Sequence, residues 1–133
     1  MIRDLIQYLL PSGRGVRVVE LFPSEKDDVE RKSAHEIGKD GTFSDLRLAM
    51  LRRGVYQMVK QVTASNGTKK AEDLLSPDTK WKVVDLSDLE DNYDKYFTSK
   101  DDAVLGRIYH KLHEISADEI DAIVGKAQTV SAG

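Results

Sequence analysis

Apolar positions near the start of the chain fall into two short stretches on either side of a turn signal. Residues 5–10 are mostly apolar, residues 11–15 are rich in proline and glycine, and three valines surround one arginine in residues 16–19. Valine alternating with a polar residue is typical of a half-buried strand, and proline and glycine favour a tight connection. The pattern favours a β-hairpin over residues 1–22. A short helix over residues 2–10, ending before the proline, is the alternative.

The pattern then changes to helical spacing. Ser24 followed by acidic residues predicts a helix start, with Ser24 able to accept a backbone N–H, and Gly38 marks the end of that helix. The clearest helix runs over residues 44–64, where apolar residues recur at three- and four-residue steps. Gly54 inside this helix predicts a close helix crossing. The residues that share the apolar face are Leu48, Leu51, Val55, Val59 and Val62.

Polar segments and further helix signals alternate in the second half of the chain. Residues 70–75 are a candidate for a short helix, and residues 81–86 fit either a third strand or an extended entry into an acidic segment. Ser99 and Ser116 each open a closing helix, the second with a capping box. The predicted core residues are Leu48, Leu51, Val55, Val59, Ile108, Leu112, Ile120 and Val124.

Together these elements predict a mainly α protein with a small N-terminal β-hairpin, an α+β fold with about four to five helices. Its 133 residues suit a single compact domain. We place that domain over residues 1–128, with the hairpin in residues 1–22 and helices over residues 24–128. Residues 129–133 are predicted to form a flexible tail.

Composition and charge exclude several classes of protein. Hydrophobic residues make up 40 % of the chain, charged residues 32 %, and the formal net charge is −3, as in ordinary globular proteins. No apolar run approaches the roughly 20 residues of a membrane span, and none has the pattern of a signal peptide. An acidic balance with 7 % aromatic residues argues against nucleic-acid binding. We therefore expect no membrane and no nucleic-acid partner.

No sequence motif indicates catalysis or a bound cofactor. The chain has no cysteine and no Gly-x-Ser-x-Gly segment, and the glycines of residues 13–15 lack the third glycine of a dinucleotide-binding loop. His110 and His113 stand three residues apart, which is not the spacing of a zinc protease. We expect both to be solvated on a helix surface. The prediction is no enzyme, no metal and no cofactor.

An acidic run precedes the last part of the chain. It contains Asp85, Asp88, Glu90, Asp91 and Asp94. The run lacks the glycine of an EF-hand loop, so a calcium site of that kind is excluded. Such runs are usually solvated helix faces, and this one is also a candidate docking surface for a basic partner.

The order of short motifs carries one resemblance. The opening segment ends in Leu10-Pro11-Ser12-Gly13, Val16-Arg17-Val18 follows, and a helix start lies at Ser24-Glu25-Lys26-Asp27. This layout resembles the small tail and baseplate assembly proteins of tailed bacteriophages, which include tail assembly chaperones and baseplate-hub assembly proteins. The resemblance implies a non-enzymatic protein that acts by contacts within a phage-like particle or during its assembly. The metal-binding cysteines of some hub-assembly proteins are absent.

We therefore predict a structural or assembly component of a phage or phage-like tail or baseplate, located in the bacterial host cytoplasm, the virion, or both. Its partners are other tail or baseplate proteins, or further copies of itself in a larger assembly. An exposed hairpin edge can accept a partner strand. The alternative is a bacterial regulatory or adaptor module that docks a basic partner through the acidic face. The predicted partner-binding residues are Leu9, Leu10, Val19, Leu21, Phe22, Asp85, Asp88, Asp91 and Asp94.

Overall fold

A computed structural model describes residues 3–64 and 70–114. Within these residues there are four strands, four α-helices and one short 3-10 helix, and 58 % of the structure is helical. The strands are β1 (Ile6–Leu9), β2 (Gly15–Val18), β3 (Val59–Thr63) and β4 (Trp81–Val83). The helices are α1 (Pro23–Ile37), α2 (Phe43–Met58), α3 (Leu86–Tyr96) and α4 (Ser99–His113), and the 3-10 helix is Ala71–Leu75. The α+β fold is confirmed.

The four strands form one antiparallel sheet in the order β1-β2-β3-β4. A tight loop joins the first two strands, where the Leu10 N–H donates to the Arg14 carbonyl at 2.9 Å and Gly13 has a φ of 91°. Glycine adopts such a positive φ without steric cost. The predicted N-terminal hairpin is confirmed, and the alternative of a helix over residues 2–10 is wrong.

Strand β3 corrects the longest predicted helix. Helix α2 ends at Met58, and β3 begins at the next residue without a connecting loop. Val59 and Val62 match the helical spacing, but they pair instead with Val18 and Val16 on β2. β-Branched side chains fit a pleated sheet better than a helix, so burial between neighbouring strands prevails over periodicity. The prediction of helices throughout residues 24–128 is therefore wrong at β3 and β4, whereas the third strand proposed over residues 81–86 is confirmed.

The helices cover one face of the sheet. Val16, Val18 and Val62 lie in the core with residues from all four helices. On the opposite face, Leu74 of the 3-10 helix lies against Gly15, where a Cβ would stand 2.8 Å from a Leu74 methyl carbon. A larger residue at this strand position would therefore require the Leu74 side chain to shift.

The predicted core is partly correct. Val55, Val59 and Ile108 are buried, and Leu51 and Leu112 pack against the core. Leu48 is the error, because its exposed fraction is 67 %. Helix α4 crosses α2 nearer the C-terminal end of α2 and leaves Leu48 uncovered. Two further core predictions, Ile120 and Val124, lie outside the described residues, as do the helix after Ser116 and the tail at 129–133.

Two local helix predictions have opposite outcomes. The close crossing at Gly54 is confirmed, because a Cβ there would lie 2.4 Å from the Tyr109 ring on α4. The helix start at Ser24 is wrong in detail. Helix α1 begins at Pro23, Ser24 lies in its first turn, and the Glu25 carboxylate accepts from the Phe22 N–H at 2.8 Å.

Candidate interaction site

Three of the five apolar residues predicted to bind a partner at the N-terminus lie in the core. Leu10, Val19 and Leu21 are each at most 4 % exposed. Their assignment to a partner surface is wrong, because the helical layer covers apolar surface that a two-stranded hairpin alone would leave in water. Leu9 is half-buried, and Phe22 is 37 % exposed. Only these two side chains remain within reach of a partner.

Phe22 is fixed in place by Arg3. The Arg3 guanidinium carbon lies 4.2 Å from the centre of the Phe22 ring, a cation–π contact. Arg3 also pairs with the Glu25 carboxylate and donates to the Glu20 carbonyl at 3.3 Å. These contacts close the start of the described chain over the entry to α1.

Strand β1 presents an open backbone edge. It is the first strand of the sheet, and no described residue pairs with its second side. Because Leu10 bonds to Arg14, the alternation of antiparallel pairs directs the Ile6 and Tyr8 backbone groups toward β2. The N–H and C=O groups of Gln7 and Leu9 therefore point outward. The strand contains no proline and no charged residue, so it lacks the usual protection of an edge strand.

A polar row across the outer face of the sheet fixes the register of β1. Gln7, Arg17 and Gln61 stand directly opposite one another on three strands. Arg17 donates from Nε to Gln7 Oε1 at 3.1 Å and from Nη1 to Gln61 Oε1 at 2.9 Å. Its guanidinium also lies 4.0 Å from the Trp81 ring centre. Sequence reasoning missed this row, because only strand pairing brings residues so far apart in the chain together.

The acidic residues are divided between structural and exposed roles. Asp85 caps α3 by accepting from the Asp88 N–H at 2.7 Å. Asp88 in turn accepts from the Tyr96 hydroxyl at 2.6 Å and from Asn92 Nδ2 at 2.9 Å. The hydrogen bond from Tyr96, followed by that from Asn92, lowers the pKa of Asp88. Two of the four predicted docking aspartates therefore have partners within the fold.

Asp91 and Asp94 differ from Asp85 and Asp88, which cap α3 or accept side-chain hydrogen bonds. Both are exposed on α3, on either side of Asn92, whose backbone departs from helical geometry. The structure thus reduces the predicted acidic docking surface to the part of α3 around these two carboxylates.

His113 differs from its predicted surface position. It is half-buried, its Nε2 accepts from the Leu21 N–H at 2.8 Å, and its Nδ1 lies 2.8 Å from the Tyr109 carbonyl oxygen. The two partners assign the neutral tautomer with the proton on Nδ1. Burial lowers the pKa of His113. His110 remains partly exposed beside Glu114, with Nδ1 2.5 Å from a carboxylate oxygen.

Asp101 is a structural residue that the sequence did not reveal. Its side chain is fully buried at the start of α4, where one oxygen accepts from the Ser12 N–H at 3.0 Å and the other from the Thr98 N–H at 3.1 Å. The Asp101 N–H donates back to Thr98 Oγ1. In the sequence it is an ordinary acidic residue of a helix start, and only the fold brings it to the hairpin loop.

Two properties of the described residues bear on the class of protein. They contain no group of three or more histidine, cysteine, aspartate or glutamate side chains placed to hold a metal ion. Their helices are also too short or too polar to cross a bilayer. Comparisons with protein-family models, curated proteins and solved structures found no significant match.

Proposed function

We propose that this chain is a non-enzymatic assembly component of a phage or phage-like tail or baseplate, and that it joins its partners through the open edge of β1. The resemblance in layout that begins with Leu10-Pro11-Ser12-Gly13 supports the phage assignment. The observation that carries the proposed mode of contact is the outward backbone edge at Gln7 and Leu9, with which none of residues 3–64 and 70–114 pairs. The partners are other tail or baseplate proteins, or a second copy of this chain.

Strand addition suits this edge for two physical reasons. Main-chain hydrogen bonds supply the affinity, so no signature side chain is required. The edge is also preorganised, because Arg17 bonds to Gln7 and to Gln61 and fixes β1 in register. A partner strand would then order only itself on binding, which lowers the entropic cost of association.

A bacterial adaptor that docks a basic partner on α3 is the alternative function. The exposure of Asp91 and Asp94 is the observation in its favour. The two modes differ in their dependence on salt. Attraction between exposed charges is screened over about 8 Å at physiological ionic strength, whereas main-chain pairing depends on salt much less. High salt should release a partner from α3 and leave a strand-added partner bound.

The test compares Gln7→Pro with Gln7→Ala. Proline removes the outward N–H of residue 7, and edge strands tolerate it because this N–H makes no bond to β2. Alanine removes the same side-chain contact to Arg17 but keeps the N–H. Each variant replaces the parent chain in the cell in which the particles assemble. Electron microscopy counts the particles, and mass spectrometry quantifies the chain in particles and in their precursors. We expect Gln7→Pro to abolish assembly and Gln7→Ala to support it.

Two outcomes contradict the proposal. Normal particle assembly with Gln7→Pro, folded by circular dichroism, would remove the β1 edge as the contact. Absence of the chain from particles and precursors, together with normal particle yield after its deletion, would remove the assembly role. The double variant Asp91→Lys, Asp94→Lys tests the alternative function as an adaptor. If that alternative is correct, this double variant abolishes binding of the basic partner.

A further inference from the structure

The two edge strands of the sheet differ in charge. Strand β1 carries no charged residue, whereas β4 contains Lys82 and is preceded by Lys80. An edge strand that pairs antiparallel with its own copy meets the same few residues again, so a lysine on the strand lies near the lysine of the copy. Like charges directly opposite destabilise a pair of strands, and lysine is a usual protection of an edge. Of the two edges, β1 is therefore the one that suits pairing with a second copy.

The burial of β1 is that of a strand with one open side. All four of its residues are half-buried, whereas three of the four residues of β2, which has a neighbour on each side, are buried. Ile6 and Tyr8 pack against the core on the helical side of the sheet, and Gln7 lies on the outer face beside Arg17. A strand added outside β1 would cover the parts of these side chains that β2 leaves open.

The alternation of backbone groups restricts how two β1 strands can pair. Residues with outward N–H and C=O groups must face one another. Two registers that satisfy this rule overlap most of the strand, with Gln7 opposite either Gln7 or Leu9 of the second copy. The register with Leu9 places Leu5 opposite Pro11, which has no N–H to donate. The register with Gln7 on the twofold axis places Leu5 opposite Leu9, where both residues have an N–H.

Side chains also match in the register with Gln7 on the axis. Leu5, which is 43 % exposed, would meet Leu9 on the outer face of the sheet. Ile6 would meet Tyr8 on the helical face, where both already pack against the core. Apolar and aromatic cross-strand pairs of this kind stabilise antiparallel strands. The register therefore gives an apolar pair on each face and on each side of the axis.

The polar row on the outer face ends in a group that can face its own copy. Arg17 donates to Gln7 Oε1, so the positive charge stays one strand away from the axis. The Gln7 amide also has N–H donors, which can bond to the amide oxygen of the second copy. Arg3 and Asp4 are the charged residues that precede β1, and this register places them opposite the uncharged residues 10–11.

We propose that two copies of this chain pair through antiparallel β1 strands, with Gln7 on the twofold axis, so that their sheets join into one continuous sheet. This inference rests on the proposed contact at the β1 edge and names the partner there as a second copy. A contact confined to one short strand is small, so the association should be weak and should depend on concentration.

The first experiment measures the mass of the purified full chain by sedimentation velocity from about 1 μM to about 1 mM, the range of weak association. We expect the parent to shift from monomer to dimer as the concentration rises. Gln7→Pro removes the central N–H of both copies and should stay monomeric. Gln7→Ala is the matched control, because it loses the same side chain but keeps the N–H, and it should still dimerise. Circular dichroism checks that each variant is folded.

The second experiment uses the absence of native cysteines. Gln7→Cys places a thiol on the proposed axis, where the Cα atoms of a hydrogen-bonded antiparallel pair lie about 5.5 Å apart, within the range of a disulfide. Val83→Cys is the control, at a residue 74 % exposed on the other edge strand. Intact mass spectrometry follows the disulfide-linked dimer. We expect it to form about tenfold faster with Gln7→Cys, because the paired strands hold the two thiols together.

Three results would overturn the self-pairing of β1. They are a parent chain that stays monomeric over the whole concentration series, a dimer that persists in folded Gln7→Pro, and equal rates of disulfide formation in the two cysteine variants. A fourth is a mixed disulfide between Gln7→Cys and Val83→Cys chains that forms faster than either symmetric one. In that case β1 would join β4 of the next copy head to tail.

The dimer and the proposed function can fail separately. If the purified chain stays monomeric and Gln7→Pro still abolishes particle assembly, the second copy is the wrong partner, but the assembly contact at β1 stands. If the chain dimerises through β1 and particles assemble normally with Gln7→Pro, the dimer stands and the assembly contact is wrong.

Discussion

The two ends of helix α4 hold the N-terminal part of the chain with different chemistry. In the first turn, Asp101 accepts from the Ser12 N–H of the hairpin loop at 3.0 Å. In the last turn, His113 accepts from the Leu21 N–H of the β2–α1 connection at 2.8 Å. Both contacts join a side chain to a distant backbone N–H, but the carboxylate is fully buried and the imidazole is half-buried.

The two attachments differ in the acceptor group: a carboxylate at the start of α4, and at its end a neutral histidine that protonation would deprive of its acceptor nitrogen. A carboxylate at a helix N-terminus benefits from the helix dipole and from its capping bonds, and it has two acceptor oxygens. A neutral histidine has one acceptor nitrogen, which is lost when the ring takes up a proton. We therefore expect the hairpin loop to depend strongly on Asp101, and Leu21 to depend on His113 in a manner that varies with pH.

The largest predicted effect is that of Asp101→Ala. The change removes two hydrogen bonds to the Asp101 carboxylate: one from the Ser12 N–H, and one from the Thr98 N–H that forms half of the capping box. Bonds of this kind contribute about 1.5–3 kcal/mol, and a lost cap costs about 1 kcal/mol. We expect the free energy of unfolding in urea to fall by about 3 kcal/mol.

Asp101→Asn is the matched control for that change. Asparagine keeps the shape and one acceptor oxygen, so its loss should be about half as large. A fall of only a few tenths of a kcal/mol in Asp101→Ala would show that the loop does not depend on this carboxylate, and the contrast between the two ends of α4 would disappear.

The next effect concerns the crossing that supports the histidine end. Tyr109 packs on Gly54 and also stacks on the His113 ring, with ring centres 4.3 Å apart. Gly54→Ala places a Cβ 2.4 Å from the Tyr109 ring, so the tyrosine must move. Overpacking of this kind costs about 1–3 kcal/mol, which outweighs the better helix propensity of alanine. Urea denaturation should show a net loss of stability.

Gly106→Ala on α4 is the control for the crossing. Its Cβ would meet Leu51 at 3.5 Å, an ordinary van der Waals distance. The gain in helix propensity, about 1 kcal/mol, should then make the Gly106→Ala protein more stable than the parent. Equal destabilisation by the two alanine substitutions would mean that the close contact of Gly54 with Tyr109 is not what makes glycine necessary there.

The boundaries of the helices and strands differ in how well the sequence predicts them. The hairpin, the end of α1 at Gly38 and the start of α4 at Ser99 follow from local turn and helix-start signals. The end of α2 does not, because Val59 satisfies helical spacing and strand preference equally. Pairing with Val18 on β2 decides between them, and no local window contains that partner.

The side chains of the site were harder to predict for a related reason. The predicted hairpin leaves an edge on each of its two strands, and only the pairing of β2 with β3 makes β1 the edge strand of the sheet. The burial of Leu10, Val19 and Leu21 depends on helices that come later in the chain. In the local sequence, Asp101 looks like an ordinary acidic residue in the first turn of a helix. Long-range packing gives it a second partner, and spacing carries no information about such a partner.

The smallest predicted effect is the pH dependence contributed by His113. Burial lowers its pKa in the folded protein below the ordinary value of 6.5, and the nearby positive charge of Lys26 acts in the same direction, while the bond to the Tyr109 carbonyl and the charge of Glu20 oppose it. As the pH falls below 6.5, the unfolded chain therefore takes up a proton first. The stabilising contribution is present above that pH and is lost as the pH falls through the folded-state value.

The measurement is urea denaturation over a pH series kept above about 5, where most carboxylates stay ionised. We expect the free energy of unfolding to decrease as the pH falls, and His113→Gln, whose side-chain oxygen does not titrate, to flatten that decrease. His35→Gln, at an exposed position on α1, is the control and should keep the parent slope. If His113→Gln also keeps the parent slope, then protonation of His113 does not govern its bond to Leu21. The expectation that the last turn of α4 holds Leu21 in a pH-dependent manner would then be wrong.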